Sequence, residues 1–185
     1  MPSLFLHADD PLWQPQQSGA LVTLLQELGL LGSEAGFNGP GRYCAGPGFL
    51  QLLMFLGCSP QVALAPGQAV GGQAVCSIRL LAFDEPVFLL ARPLPAVRCA
   101  QCRASASLPP EFTFTTQYRC STCGATAGAA DLDWRQGAGC GCFFIEVNGV
   151  YPQEAIPSDK LLQELGRFSR CNWKYFFADA PPRAE

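Results

Sequence analysis

Histidine, methionine and charged residues are scarce in this chain. Among 185 residues there are one histidine, two methionines, 12 basic and 15 acidic residues. Because His7 is the single histidine, it is the one residue that could serve as the base of a Ser–His or Cys–His mechanism. His7 lies near the N-terminus with no cysteine or serine motif beside it, so we expect it to be neither a general base nor a metal ligand. The formal net charge of −3 argues against a dedicated nucleic-acid binder, which usually carries a basic patch.

Long apolar runs are also missing. A membrane helix needs about 18 or more apolar residues, and the longest candidate, residues 49–56, is too short. The N-terminus lacks a basic start and reaches Asp9 and Asp10 before any long apolar run, which predicts no targeting segment. We therefore expect a soluble, cytoplasmic protein.

The chain is nevertheless apolar in composition. Hydrophobic residues make up 49% and charged residues only 15%, so the chain should fold rather than remain disordered. Because so little charge is available to cover the surface, an apolar contact face for a protein partner is expected.

Ten cysteines would suggest disulfides in a small secreted protein, but no signal peptide is predicted and the chain is not small. Four of them form two Cys-x-x-Cys pairs, and six are scattered among apolar or glycine neighbours. This pattern is typical of a reducing compartment, with one metal site and several buried thiols.

The two pairs have the spacing of a four-cysteine zinc site: Cys99 and Cys102, then 17 residues, then Cys120 and Cys123. A two-residue gap lets both thiolates of one turn point at one ion, and two such turns supply the tetrahedron that zinc accepts. Gly124 follows the last ligand, where a tight turn often needs a positive φ. The sequence therefore predicts one structural zinc ion.

With these ligands, residues 96–128 resemble the zinc ribbons, a broad group of small zinc-bound β-hairpin modules. The alternating segment 112–116 between the pairs would be a strand of the hairpin. The resemblance implies a fold and a metal but no single function, because zinc ribbons occur in transcription, translation, enzyme and accessory proteins. It covers no other part of the chain.

Two alternatives to a zinc ion stay open at this point: iron in a rubredoxin-like site, and four unmetallated core thiols. Catalytic zinc is disfavoured because four cysteines leave no coordination position for water. Three arginines and one glutamate give residues 96–124 a charge of +2, and four thiolates with Zn²⁺ add −2. The net charge of zero argues against a module that binds the phosphate backbone of a nucleic acid.

Hydrophobic periodicity predicts helices over residues 18–31 and 47–56, and a third helix capped by Ser158 that buries Leu161, Leu162, Leu165 and Phe168. Strands are predicted over 74–83 and 87–91, joined as a hairpin at Asp84–Pro86, and over 142–147 and 173–177. Asn148-Gly149 predicts a hairpin turn with the return strand starting at Val150 and Tyr151. Glu146 is expected on the solvent face of its strand.

Together these elements predict an α+β fold: a small mixed or antiparallel sheet from residues 74–91, 142–151 and 173–177, packed by helices. Residues 1–95 and 129–185 would form one α+β domain, and residues 96–128 an inserted zinc ribbon. Metal binding would then contribute to folding of the module.

Outside the module the candidate functional residues are few. Asp131 and Asp133 could do acid–base work or hold magnesium, or could simply cap the chain as it leaves the ribbon. Cys140 and Cys142 could bind a second metal or form a redox pair, but two small residues at the start of a buried strand explain them better. Trp173, Tyr175 and Phe177 share one strand face, which favours core packing over a partner surface or base stacking.

Three hypotheses for function follow. The leading one is a non-enzymatic accessory or adaptor protein that binds a protein partner. The second is a zinc-ribbon protein associated with nucleic acid. The third is an enzyme that uses acids such as Asp131 and Asp133, for which the sequence suggests no substrate.

Overall fold

The computed structural model describes residues 2–33, 41–55, 62–64, 75–91, 96–150 and 155–179. Predictions at Leu56, Cys58, Ala74 and Tyr151 lie outside these residues. The strands are β1 Pro2–Ala8, β2 Arg42–Cys44, β3 Leu53–Phe55, β4 Ser77–Leu90, β5 Gln117–Arg119, β6 Thr126–Gly128, β7 Ala138–Asn148, β8 Ala155–Pro157 and β9 Trp173–Asp179. The α-helices are α1 Ser18–Glu27, α2 Phe49–Leu52 and α3 Asp159–Ser169, and a 3₁₀ turn covers Ala129–Asp131.

Five strands form one antiparallel sheet in the order β2-β4-β7-β1-β9, as the sequence had predicted in part. Two small two-stranded sheets, β3-β8 and β5-β6, accompany it. Strand β1, which carries His7, was not predicted. It contains Leu4, Phe5 and Leu6 in succession, all fully buried, so it lacks the alternation by which a half-exposed strand is identified.

The predicted hairpin over 74–91 is wrong. Residues Ser77–Leu90 form one strand, β4, and both of its halves pair with β7 instead of with each other. The ladder is irregular between Ala82 and Val87, where the acidic Asp84 and Glu85 interrupt the apolar pattern. The segment Asp84–Pro86 therefore makes an irregularity within a long strand rather than a reversal.

Strand β7 begins four residues earlier than predicted, inside the glycine-rich run 137–141. The small residues there serve packing: a Cβ placed on Gly139 would overlap the ring of Phe176 on β9. Strand β9 follows its prediction and extends it to Asp179. After β7, Gly149 adopts a φ of +77° in a bend. The predicted hairpin at Asn148-Gly149 is wrong, because β7 pairs with β4 and β1, and the next strand, β8, pairs with β3.

Two of the predicted helices end early. Helix α1 starts at Ser18 and ends at Glu27, because Gly29 with a φ of +80° reverses the chain before residue 31. The predicted helix 47–56 is correct only for α2 at Phe49–Leu52, and β3 follows directly. Pairing of Leu53–Phe55 with β8 takes the place of further helical hydrogen bonds there.

Helix α3 has the predicted cap: the Ser158 side chain accepts a hydrogen bond from the Leu161 backbone N–H at 3.3 Å. Leu161 and Leu165 are buried, but Phe168 is 37% exposed and the prediction that it is buried is wrong. The main buried cluster contains side chains from α1, α2 and α3 together with one face of the sheet: Leu21, Leu25, Phe49, Leu161, Leu165, Leu4, Leu6, Ile78, Ile145, Trp173 and Phe177.

The opposite sheet face is also buried. Phe5, Phe144 and Phe176 form an aromatic cluster there, with Phe5 and Phe176 stacked at 5.3 Å between ring centroids. Glu146 lies on this face and has 0% exposure, so the prediction of a solvent position is wrong. Its carboxylate pairs with the guanidinium of Arg79, which lies directly across on β4.

None of the helices in the described part of the chain has the length and apolar character that crossing a membrane requires.

Candidate metal centre

The Sγ atoms of the four predicted metal ligands lie close together. The Sγ atoms of Cys99 and Cys123 lie 3.8 Å apart, those of Cys102 and Cys120 lie 3.5 Å apart, and all four fall within 4.8 Å of one another. Four sulfurs placed tetrahedrally at about 2.3 Å from a metal would be separated by about 3.8 Å. The four cysteines are therefore positioned to bind a metal ion.

The two Cys-x-x-Cys segments form equivalent turns. In the first, Cys99 N donates to Ala104 O and Arg103 N donates to Cys99 O, both at 2.9 Å. In the second, Cys120 N donates to Ala125 O at 2.8 Å, and Gly124 N donates to Cys120 O at 2.9 Å. The repeated hydrogen-bond pattern places both cysteines of each turn on the same side.

Each turn closes with a residue of positive φ, as the sequence predicted for one of them. Gly124 has a φ of +74°, and Arg103 occupies the equivalent position in the first turn with a φ of +63°. A left-handed conformation has a conformational cost for a non-glycine residue, so the first turn is strained at Arg103.

Backbone N–H groups make the first cysteine of each turn more acidic. Hydrogen bonds from the backbone of Cys102 and Gln101 lower the pKa of Cys99, and hydrogen bonds from Cys123 and Thr122 lower the pKa of Cys120 to about 6. Metals bind the thiolate rather than the thiol, so at Cys99 and Cys120 these donors favour the protonation state that a metal requires. At Cys102, the backbone donor of Ala104 is outweighed by desolvation and the neighbouring thiols, which raise the pKa to about 12.

The surroundings of the sulfurs are asymmetric. Cys99 and Cys120 are buried in a cluster with Val97, Tyr118 and Trp134, whereas Cys102 and Cys123 are exposed.

The second turn is carried by the β5-β6 hairpin, which pairs Gln117–Arg119 with Thr126–Gly128. The predicted strand at 112–116 is wrong, because that segment turns before β5 begins. Its Phe112 packs instead against Phe88 and Trp134 with ring-centroid distances of 5.1 and 5.3 Å.

Asp133 holds the segment that follows the hairpin. One of its carboxylate oxygens accepts from the backbone N–H of Arg135 at 3.0 Å, and the other pairs with the guanidinium of Arg103 at 3.2 Å. Its backbone also bridges to Arg98, next to the first ligand. Both carboxylate oxygens thus have internal partners, which favours the capping role over acid–base work for Asp133.

Asp131 lies at the end of the 3₁₀ turn and is exposed. The Asp131 side chain packs closely against Gly128, since a Cβ on Gly128 would lie only 3.0 Å from Oδ2 of Asp131. The described residues place no histidine, cysteine or further carboxylate with Asp131 and Asp133 in a metal-binding group, so a magnesium role for this pair has no support in the geometry.

Cys140 and Cys142 are both buried on β7, as expected if they are small residues at the start of a buried strand. Burial raises the pKa of the Cys140 thiol to about 12, which makes it unreactive at neutral pH. Cys76 is similar, because burial raises its pKa to about 12 and its Sγ donates to Gly149 O at 3.4 Å. Among the described residues, neither Cys140 nor Cys142 joins the four-cysteine group.

A cavity of about 560 Å³ lies beside the centre, and the sequence did not predict it. Residues 130–136 form one wall, while parts of β1, β7 and β9 form the other. His7 lines it, and its buried Nδ1 atom has no hydrogen-bond partner. Burial, followed by the charge of Lys174, lowers the pKa of His7 to about 4, so its imidazole is neutral at pH 7.

A comparison of the chain with protein-family models, curated proteins and solved structures finds no match in any of the three. Function must therefore be inferred from the residues and the geometry above.

Proposed function

We propose that Cys99, Cys102, Cys120 and Cys123 hold one Zn²⁺ as a structural centre, in a non-enzymatic accessory or adaptor protein that binds a protein partner. The observation that carries the metal assignment is the meeting of four thiol sulfurs within 4.8 Å on two equivalent turns. Zinc accepts four thiolates tetrahedrally, and a complete sulfur shell leaves no position for a substrate or an attacking water. Such a centre stabilises a fold rather than performing a reaction.

We further propose that residues 96–128 are a zinc ribbon inserted into one α+β domain formed by residues 1–95 and 129–185. Two observations support this division. A buried cluster around Cys99, Tyr118 and Cys120 lies within the segment and continues into Leu132, Trp134 and Ala138, which follow it. The strands that flank it in sequence, β4 and β7, pair along most of their length, so the segment leaves and rejoins the sheet at neighbouring points.

Iron is the alternative metal, since it also accepts four thiolates. Elemental analysis of the purified protein should give about one zinc per chain. The variant Cys102→Ser with Cys120→Ser should lose it, whereas Cys171→Ser, which removes a thiol outside the group, should keep it. Iron in place of zinc, or full metal content in the double variant, would contradict the assignment. Because the thiolates must stay reduced, a cytoplasmic location is proposed with it.

The partner is proposed to contact the surface formed by α2, β3 and β8. Leu50 and Met54 are 50% and 48% exposed, and Met54 lies directly across from the partly exposed Ile156. Leu50 and Met54 are four residues apart in the chain, and exposed large apolar side chains are stabilised when a partner covers them.

This surface can be tested with charge substitutions in the native host. Affinity purification of the intact protein should recover a partner that is lost with Leu50→Glu plus Met54→Glu. The matched control is Leu12→Glu, because Leu12 is 64% exposed but belongs to a different segment. Retention of every co-purifying protein by the double variant would refute this surface as the contact.

A further inference from the structure

The cavity lined by residues 130–136 has the properties of a ligand site, a role separate from the proposed structural metal centre. Its volume of about 560 Å³ lies within the range of small-molecule pockets, about 300–1,000 Å³. Its lining combines apolar residues, among them Leu132, Trp134 and Trp173, with exposed charged residues at the rim. Such a combination encloses an apolar body and orients polar ends.

The charged groups of the rim are balanced. Asp133 is neutralised by its ion pair with Arg103, which leaves two acids and two cations: Asp9, Asp131, Arg135 and Lys174. Within the described residues, neither the Arg135 nor the Lys174 side chain forms an ion pair with an acid. Each wall contributes one acid and one cation, since Asp9 and Lys174 belong to the sheet side and Asp131 and Arg135 to the 130–136 side.

A ligand of one charge sign would meet repulsion from half of these groups. A dianion such as a phosphate monoester would face the carboxylates of Asp9 and Asp131, and a simple amine would face Arg135 and Lys174. A molecule that carries one positive and one negative group can place each beside its opposite. The balanced rim therefore favours a zwitterion over either single ion.

His7 places an imidazole in the lining of the cavity. It lies directly across from Lys174 in the β1-β9 pairing, and its Nδ1 atom is buried without a partner. A neutral imidazole can accept a hydrogen bond from an ammonium group or donate one to a carboxylate.

We propose that this cavity binds a small zwitterion of the amino-acid class that carries an apolar side chain. The carboxylate is attracted by Lys174 and Arg135, and the ammonium group by Asp131 and Asp9. The apolar side chain lies against the wall formed by residues 130–136. Because the rim charges are exposed and screened by salt, we expect a dissociation constant on the order of 1 mM or somewhat tighter.

The single histidine gives a direct test on the intact, metal-loaded protein. The imidazole signals of His7 in a long-range ¹H–¹⁵N spectrum can belong to no other residue, because the chain has one histidine. L-leucine and L-phenylalanine should each shift them in a saturable manner. The matched probes 3-phenylpropionate, which lacks the ammonium group, and phenethylamine, which lacks the carboxylate, should bind about tenfold more weakly.

Variants separate the cavity from a non-specific effect. Lys174→Ala and Asp131→Ala should each weaken L-phenylalanine binding about tenfold. Lys160→Ala and Asp84→Ala replace exposed charges outside the cavity and should leave binding unchanged. No saturable shift with either amino acid would overturn the proposal. Equal binding of 3-phenylpropionate or phenethylamine, or unchanged binding in both cavity variants, would overturn it as well.

Discussion

Arg98 and Asp133 exchange two backbone hydrogen bonds, with N to O distances of 3.0 and 2.9 Å. Arg98 directly precedes the first cysteine of the metal centre, and Asp133 lies in the wall of the neighbouring cavity. The ion pair between Arg103 and Asp133 adds a side-chain contact between the same two segments. The metal-binding turn and the cavity wall are therefore held together by both backbone and side-chain interactions.

Replacement of Asp133 tests this connection. Asp133→Ala leaves the Arg135 N–H without its acceptor at a position of positive φ, 51°. We expect a loss of about 1 kcal/mol in the free energy of unfolding, measured by urea denaturation of the metal-loaded protein. Arg103→Ala removes only the exposed ion pair and should cost less. A larger loss in Arg103→Ala than in Asp133→Ala would show that the ion pair, and not the backbone cap, stabilises this segment.

Gly139 should not tolerate a side chain. Because a Cβ at this position overlaps the Phe176 ring, Gly139→Ala should lower the free energy of unfolding by about 1–3 kcal/mol. Gly141→Ala is a matched control two residues along the same strand, where the nearest atom would lie at an ordinary contact distance of 3.6 Å. Equal stability losses in the two variants would contradict the packing of the Phe176 ring against Gly139.

The buried ion pair of Arg79 and Glu146 gives a third prediction. Glu146→Ala leaves a cation that is only 18% exposed without its partner and should destabilise the protein by about 3 kcal/mol. Glu164→Ala on α3 breaks the more exposed pair with Arg167 and should cost less than about 1 kcal/mol. The double variant Arg79→Met with Glu146→Leu should recover most of the loss, because an apolar pair needs no charge compensation. Thermal or urea unfolding of the four proteins measures this.

His7 should make the protein sensitive to acid. Its pKa falls from 6.5 to about 4 in the folded chain, so the unfolded chain binds a proton first as the pH decreases. Stability should therefore decline as the pH falls from 6.5 towards 4, by at most about 3 kcal/mol from this group. His7→Phe should remove that component, and the difference between the two proteins isolates it from acid release of the metal. An imidazole that titrates near 6.5 by NMR would contradict the burial of His7.

The parts of the fold that depend on short-range sequence were predictable. The metal ligands follow from a spacing set by the geometry of one turn, and Gly124 from the backbone conformation that closes it. The Ser158 cap of α3 is likewise a contact between residues three positions apart.

Long-range pairing accounts for what the sequence did not reveal. Asp84–Pro86 is a typical turn sequence, yet β4 continues through it because both of its halves pair with β7. Glu146 looks like an exposed strand residue until Arg79 is placed opposite it by the register of two distant strands. The burial of His7 depends on Phe144 and Phe176, from two other strands.

The coordination shell of the metal tests the central claim most directly. X-ray absorption at the zinc edge of the purified protein should give four sulfur neighbours at about 2.3 Å and no oxygen or nitrogen neighbour. Such a shell uses Cys99, Cys102, Cys120 and Cys123 and leaves no open position. A light-atom ligand at about 2.0–2.2 Å, or fewer than four sulfurs, would contradict a closed structural centre.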